Sequence, residues 1–398
     1  MSGTFQTARY VGMSDSMPTI KSKLPSVGTT IFTVMTQRAQ ELGAINLAQG
    51  FPDYDTPSRL KELLALHVAA GRNQYAPMIG VPELREQIAS KFMKLYGKSL
   101  HPADEITVTL GATEGIFSAV LALVHPGDEV IVFEPCYDSY RPAIELAGGK
   151  AVGVPLVAPE FSIDWDRLGE AINARTWLVI VNSPNNPTGA VVTHDDLDRL
   201  AARLRNADAL VLADEVYEHM VFDGRRHASV CAHAQLWERS VAVYSFGKTM
   251  HATGWRVGYT VAPPDITREI RRVHQFNTFS ITAPLQYALA DFLKEEPAHS
   301  VELAAFYQRK RDLFLELTRS SRFKAVPSAG TYFQLLDFSA ISKQSDMQFA
   351  DHLLREVGVA SIPLTPFYES APPLPYLRFC FAKQDSTLAA AAERLCKI

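Results

Sequence analysis

From about residue 104 onward the chain alternates between short apolar runs and amphipathic stretches. The runs are Ile106–Thr109, Val130–Phe133, Lys150–Val154, Trp177–Val181, Leu210–Ala213, Val241–Tyr244 and Val257–Val261. Most are continuously apolar rather than alternating, which predicts strands covered on both faces. Strand and helix patterns in this alternation predict an α/β domain: a mostly parallel seven-stranded sheet between helices. Upstream, Ile31, Phe32, Met35, Ala39 and Leu42 share one face of a helix predicted over 29–42. Residues 45–53 read as a short strand broken by Gly50 and Pro52, and Ser58 is placed to cap a helix reaching about Ala70. Residues 1 to about 27 read as a polar, extended arm.

The texture changes again after Pro284. A helical stretch runs, with breaks, to about Ser321. A strand around Gly330–Asp337, a helix around Gln348–Glu356, a strand near Tyr376–Phe381 and an Ala-rich helix from about Ser386 follow. This reads as a smaller α+β domain. The expected division is 1–54 as arm and part of the small domain, 55–285 as the large domain, and 286–398 as the small C-terminal domain.

Composition narrows the class without naming it. A chain of 398 residues suffices for two domains. At 47% hydrophobic and 21% charged, with a net charge of −4, it gives no electrostatic reason to expect nucleic acid or an anionic membrane. No apolar run approaches the roughly 20 residues that span a bilayer. Met1 to Tyr10 lack the apolar core of a signal peptide. Cys136, Cys231, Cys380 and Cys396 form no CxxC pair, which argues for a reducing compartment, the cytoplasm, and against a disulfide framework. His227, Cys231 and His233 match no common metal spacing and read as structural; no metal is expected.

The chemistry lies just past the strand ends, where open α/β sheets bind ligands. Lys248 follows the strand 241–244, with Ser245 before it and Arg256 after it. A lysine buried near other cations keeps a fraction of free amine, which attacks an aldehyde. Gly111, Ala112 and Thr113 open a helix, whose free N–H groups suit a phosphate. Tyr137 offers a ring for stacking, and Asn182 to Gly189 form a stiff polar loop. Asp214 ends an apolar strand, so its carboxylate needs a partner, and Tyr217 lies three residues on. Each feature alone has an ordinary structural explanation: a solvated lysine, a capped turn, a core tyrosine, a salt bridge. One group accounts for all of them together. Pyridoxal 5′-phosphate has a phosphate for Gly111–Thr113, Ser245 and Arg256, and a ring face for Tyr137. Its ring nitrogen suits Asp214, its ring oxygen Asn186 and Tyr217, and its aldehyde Lys248. No G-x-G-x-x-G or Walker loop competes.

Asn186-Pro-Thr-Gly189, Asp214-Glu-Val-Tyr217 and Ser245-Phe-Gly-Lys248 resemble, in order and spacing, the fold-type I pyridoxal-phosphate aminotransferases of class I/II. The similarity covers nearly the whole chain. Residues 46–53, 73–77, 248–259 and 327–333 look like the branch holding bacterial methionine aminotransferase and the kynurenine/glutamine transaminases. The resemblance implies an aspartate-aminotransferase-like fold and transfer of an amino group from methionine, aromatic amino acids, glutamine or kynurenine to a 2-oxo acid. It implies that Lys248, Asp214 and Tyr217 are catalytic and that Arg378 grips the substrate α-carboxylate. It further implies that Gly50 and Asn186 contact substrate, and that the protein is a homodimer in which Tyr75 reaches the partner's phosphate and Phe279 lines the partner's pocket. Arg256 and Tyr137 stand where some relatives carry lysine and phenylalanine. Phe51, Tyr54, Tyr137, Phe279 and Phe367 are candidates for an apolar substrate pocket. The same fold and cofactor also run cysteine-S-conjugate β-elimination, and a non-catalytic regulatory module would keep the fold. No basic helix-turn-helix segment favours the latter.

Overall fold

The computed structural model describes residues 20–398, so most of the arm expected over residues 1–27 lies outside the described residues. Strands in chain order are β1 (Ile45–Asn46), β2 (Ile106–Thr109), β3 (Glu129–Glu134), β4 (Lys150–Pro155), β5 (Thr176–Asn182) and β6 (Leu210–Asp214). They continue as β7 (Ser240–Ser245), β8 (Gly258–Val261), β9 (Phe333–Asp337), β10 (Val359–Ala360), β11 (Ile362–Pro363) and β12 (Tyr376–Cys380). A seven-stranded sheet has the order β2-β8-β7-β6-β5-β3-β4. Only β8 in it runs antiparallel to its neighbours.

The continuous apolar runs are explained by two covered faces. Val130, Val132, Leu178, Ile180 and Leu212 pack into one cluster, with the helices Gly111–Leu123, Tyr140–Leu146 and Pro264–Asn277. Ile131, Phe133, Val179, Val181 and Val211 pack into the other, with Ser58–Ala69, Pro82–Tyr96 and Ala283–Glu295. Successive side chains alternate between faces, so both faces demand apolar residues. Each fully buried Leu, Val or Phe there contributes about 1.5–3 kcal/mol.

The remainder builds a smaller α+β layer. β9, β11 and β12 form an antiparallel sheet in the order β11-β12-β9, and β1 pairs in parallel with β10. The helices Ile31–Glu41, Ala298–Thr318, Asp346–His352 and Asp385–Leu395 pack with them in one cluster. The β1 pairing places the segment before residue 55 beside the C-terminal part of the chain.

Two local expectations change, and one helix spans an expected boundary. Leu42 is 52% exposed, because the first helix ends at Glu41 and the chain turns there. Ser58 is the first helical residue, not the cap; Pro57 holds the cap position and makes no side-chain bond. The boundary expected at 285/286 falls inside the helix Ala283–Glu295. That helix buries Leu285, Ala288, Leu289 and Phe292 and packs on Ser58–Ala69 and Pro82–Tyr96.

Candidate active site

The register brings the predicted residues to one edge of the large sheet. Asn182 pairs with Asp214, and Gly258 sits between Thr109 and Ser245. Ala112, Thr113, Tyr137, Asn186, Asp214, Tyr217, Ser245, Lys248 and Arg256 line a single cavity, with Ile116, Asn182 and Val216.

One end of the cavity is built for an anion. The helix Gly111–Leu123 starts there, with the free N–H groups of its first turn. The Arg256 guanidinium reaches across to the Thr113 hydroxyl at 3.3 Å and is braced on the Thr253 carbonyl at 3.1 Å. Glycine is required at two positions of this cup. Gly111 has φ +71°, and a Cβ on it would lie 2.9 Å from the Arg256 guanidinium. A Cβ on Gly258 would lie 2.7 Å from the Ala112 amide nitrogen and 2.6 Å from the Tyr244 carbonyl.

The other end holds the carboxylate and the amine. Asp214 is 4% exposed and pairs with no arginine among the described residues. Its carboxylate accepts from the Tyr140 hydroxyl at 2.6 Å and from the Val216 N–H at 3.3 Å. Burial raises its pKa to about 6, against the lowering effect of those two bonds and of Lys248. Asn182 donates to the Asp214 carbonyl at 2.9 Å and accepts from the Asn186 N–H at 2.8 Å, tying the two strand ends together. Lys248 has its pKa lowered to about 8, chiefly by burial, with Arg256 and Arg378 adding to it and Cys380 and Asp214 opposing it. Its amine donates to the Tyr332 hydroxyl at 2.8 Å.

Arg378 sits mid-strand in β12 with no exposed surface. Its Nη1 donates to the Asn186 side-chain oxygen at 2.7 Å and its Nη2 to the Ala48 carbonyl at 2.8 Å. Its Nε has no partner among the described residues, and the guanidinium carbon lies 3.9 Å from the Phe333 ring centroid. Burial lowers its pKa to about 10. Gly50 and Phe51 turn their carbonyls to Tyr332 and Lys383.

Some predicted residues do not join the cavity. Tyr54 instead packs edge-on against His251 and Phe306, and Phe367 is 2% exposed against Phe32. Both answer to the small-domain core. Tyr75 is 85% exposed and edge-on to Phe279, outside the cavity of its own chain. His227 bonds Glu215 and His233 bonds Asp198, so the His227–Cys231–His233 trio does not converge. Sequence reasoning missed Tyr140, Asn182 and Tyr332; nothing in their local pattern marks their partners. A larger cavity of about 340 Å³ shares Asn182 but has no lysine in its lining, so it offers no nucleophilic amine.

This arrangement of phosphate cup, buried acid, stacking ring and part-neutral amine defines a pyridoxal-phosphate enzyme of the aspartate-aminotransferase fold. The family model for aminotransferase class I and II matches residues 43–395, and the chain belongs to that family. It is 52% identical over 375 residues to the methionine aminotransferase of Escherichia coli, covering 94% of this chain and 97% of that protein. Human kynurenine–oxoglutarate transaminase 1 is 33% identical over 395 residues, with 90% and 93% covered. A crystal structure of an Escherichia coli protein identified as having a methionine aminotransferase function superposes with a TM-score of 0.94, covering 96% of this chain and all of that one. Aspartate aminotransferase from Thermus thermophilus with maleate superposes at 0.88 with 33% identity, covering 96% of this chain and all of that one.

Proposed function

We propose that the enzyme moves the amino group of methionine to a 2-oxo acid in two half-reactions, with aromatic amino acids, glutamine and kynurenine as further donors. Arg378 carries the reading. Its guanidinium is wholly buried, bonds no acidic side chain among the described residues, and has an unpartnered Nε beside the cavity that holds Lys248. A buried cation needs an anion, and the α-carboxylate common to amino and oxo acids fits its planar fork. The 52% identity to a methionine aminotransferase supports the choice of donor.

Bound pyridoxal phosphate supplies an aldehyde to receive the amino group and a protonated ring to draw electrons from the substrate's Cα. Gly111, Ala112, Thr113, Ser245 and Arg256 would hold its phosphate. Tyr137 would stack on its ring, Asp214 would face the ring nitrogen, and Asn186 and Tyr217 would bond the ring oxygen. Lys248 would hold the cofactor, and as a free amine its Nζ would take the proton from the substrate's Cα. Burial fits it to that task by keeping part of its population neutral. Gly50 and Phe51 flank the substrate.

The working unit in this reading is a homodimer in the cytoplasm. Tyr75 and Phe279 lie edge-on to each other and are exposed at 85% and 44%, which suits a second copy bringing Tyr75 to the phosphate and Phe279 to the pocket. The four cysteines are free, in keeping with a reducing compartment. The division we favour keeps the start of the large domain at 55 and places its end at the turn after Glu295.

A panel of amino donors against several oxo acids, scored by kcat/KM, tests the substrate. Methionine is expected to lead, with neighbours close behind, because an apolar pocket separates side chains by only about 1–3 kcal/mol per methylene. Lack of methionine turnover with every acceptor would overturn the donor assignment. Release of pyruvate and ammonia from a cysteine conjugate without an oxo acid would instead indicate elimination. Lys248→Ala is expected to abolish turnover and the bound cofactor's visible absorbance band; normal rates in that variant would remove the lysine from the mechanism.

A further inference from the structure

The Lys248 amine sits at a junction of three segments far apart in sequence. It donates to the Tyr332 hydroxyl at 2.8 Å, and that hydroxyl donates in turn to the Gly50 carbonyl. Lys248 follows β7 of the large sheet, Tyr332 precedes β9 of the small one, and Gly50 follows β1. We propose that Tyr332 is a positioning residue for the catalytic lysine: it receives the amine whenever Lys248 is not bonded to cofactor, and ties it to the Gly50 segment that flanks the substrate. This rests on Lys248 being the lysine of the transamination reaction.

The direction of the two bonds matters. The phenol has one proton, and the Gly50 carbonyl takes it. Towards Lys248 the phenol can therefore only accept. An accepting partner orients an amine through one of its N–H groups and leaves the lone pair of the neutral form free. A phenol donating to the amine would occupy that lone pair, which a general base needs. Burial holds the Tyr332 proton in place by raising its pKa well above the ordinary phenol value. The Tyr217, Tyr307 and Phe333 rings surround the phenol ring, at centroid distances of 5.1, 5.8 and 4.8 Å.

The backbone next to Tyr332 gives an independent sign that its placement is enforced. Thr331 has φ +68°, in the left-handed region that β-branched residues avoid. Two bonds hold it there: its N–H to the Met220 carbonyl at 3.0 Å, and its hydroxyl from the Phe333 N–H at 3.0 Å. Such strain persists only where the surrounding structure over-determines it. Gly50 is equally constrained, since a Cβ there would lie 2.8 Å from the Phe333 ring.

The test uses the pyridoxamine-phosphate form of the holoenzyme, in which Lys248 is a free amine. Lys248 modification by cyanate, followed across pH by peptide mass spectrometry, reports its pKa. The other groups acting on that amine are Cys380, Arg256, Arg378 and Asp214, and Tyr332→Phe leaves all of them in place. Loss of an accepted hydrogen bond removes support for the ammonium, so the midpoint is expected to fall by about one unit. In steady state kcat is expected to fall about ten- to a hundredfold, with KM changed less than about threefold. Should the phenylalanine variant fail to fold, 3-fluorotyrosine at 332 nearly keeps the shape, weakens the hydroxyl as an acceptor while keeping its donation to Gly50, and the same shift in smaller measure is expected. An unchanged Lys248 midpoint with unchanged kcat overturns the proposal. If Lys248→Ala is inactive while Tyr332→Phe is normal, only this inference fails; if Lys248→Ala is active, the parent reading fails with it.

Discussion

The Tyr140 hydroxyl donates a 2.6 Å hydrogen bond to the buried carboxylate of Asp214, at the end of β6. Tyr140 is 1% exposed, so water cannot replace it readily. Tyr140→Phe removes the strongest support for the charged form, and the Asp214 pKa is expected to rise further above 6. We expect kcat to fall about tenfold and the acidic limb of the pH–rate profile to move to higher pH. Profiles that superimpose would show that the bond does not tune the acid.

Asp214 also makes a prediction about stability. Its folded pKa is raised to about 6 from an ordinary 3.8, so the folded protein binds more protons than the unfolded chain between those values. Stability therefore falls as pH rises through that window, and the whole cost is present above it. Without cofactor, Asp214→Asn is expected to be more stable than wild type at pH 8 by on the order of 2 kcal/mol, with no gain near pH 3.5. Cofactor should reverse the order, because its ring cation partners the wild-type carboxylate alone. Denaturant midpoints at the two pH values, with and without cofactor, check this. Equal midpoints at pH 8 would mean that the acid is not strained by burial.

Lys248 predicts the pH dependence of cofactor uptake. An amine with a pKa of about 8 is roughly one-tenth neutral at pH 7, whereas an ordinary lysine is about one part in three thousand neutral. Capture of an aldehyde needs the neutral form. The uptake rate of cofactor-free enzyme is expected to rise with pH and level off above about 8. Stopped-flow absorbance measures it; a rate still climbing tenfold per unit at pH 9.5 would place the amine at its ordinary value.

Arg378 predicts a separation between cofactor and substrate binding. Arg378→Lys keeps the charge but loses the fork that Asn186 and the Ala48 carbonyl hold in plane. We expect kcat/KM for methionine to fall about a hundredfold or more while the cofactor's absorbance band survives. A variant that loses both together would show that Arg378 supports the fold rather than the substrate.

The large sheet was legible because its chemistry is local. β3 and β7 are buried along their whole length, so each shows an apolar run, Val130–Phe133 and Val241–Tyr244, between polar ends. The helix start beside the cavity was legible for the same reason: Gly111-Ala-Thr opens a helix directly after β2. For Tyr54 and Phe367 the pattern showed aromatic burial without saying against what: Tyr54 packs on His251 and Phe306, and Phe367 on Phe32. The stripe Leu285, Ala288, Leu289 and Phe292 reads as helical in either domain, and its packing on Ser58–Ala69 is not recorded in the sequence.

Periodicity, strand ends and residue types by themselves determined the α/β class, the seven strands and the set of groups suited to one phosphorylated aldehyde. These depend on burial and backbone geometry within a few residues, which a linear pattern records. Tertiary structure alone decided that β1 pairs with β10, that Tyr140 supports Asp214 and that Tyr332 joins Lys248 to Gly50. Those partners lie 74 to 314 positions apart in the chain, and a hydrogen bond across such a span leaves no mark on the residues beside either end.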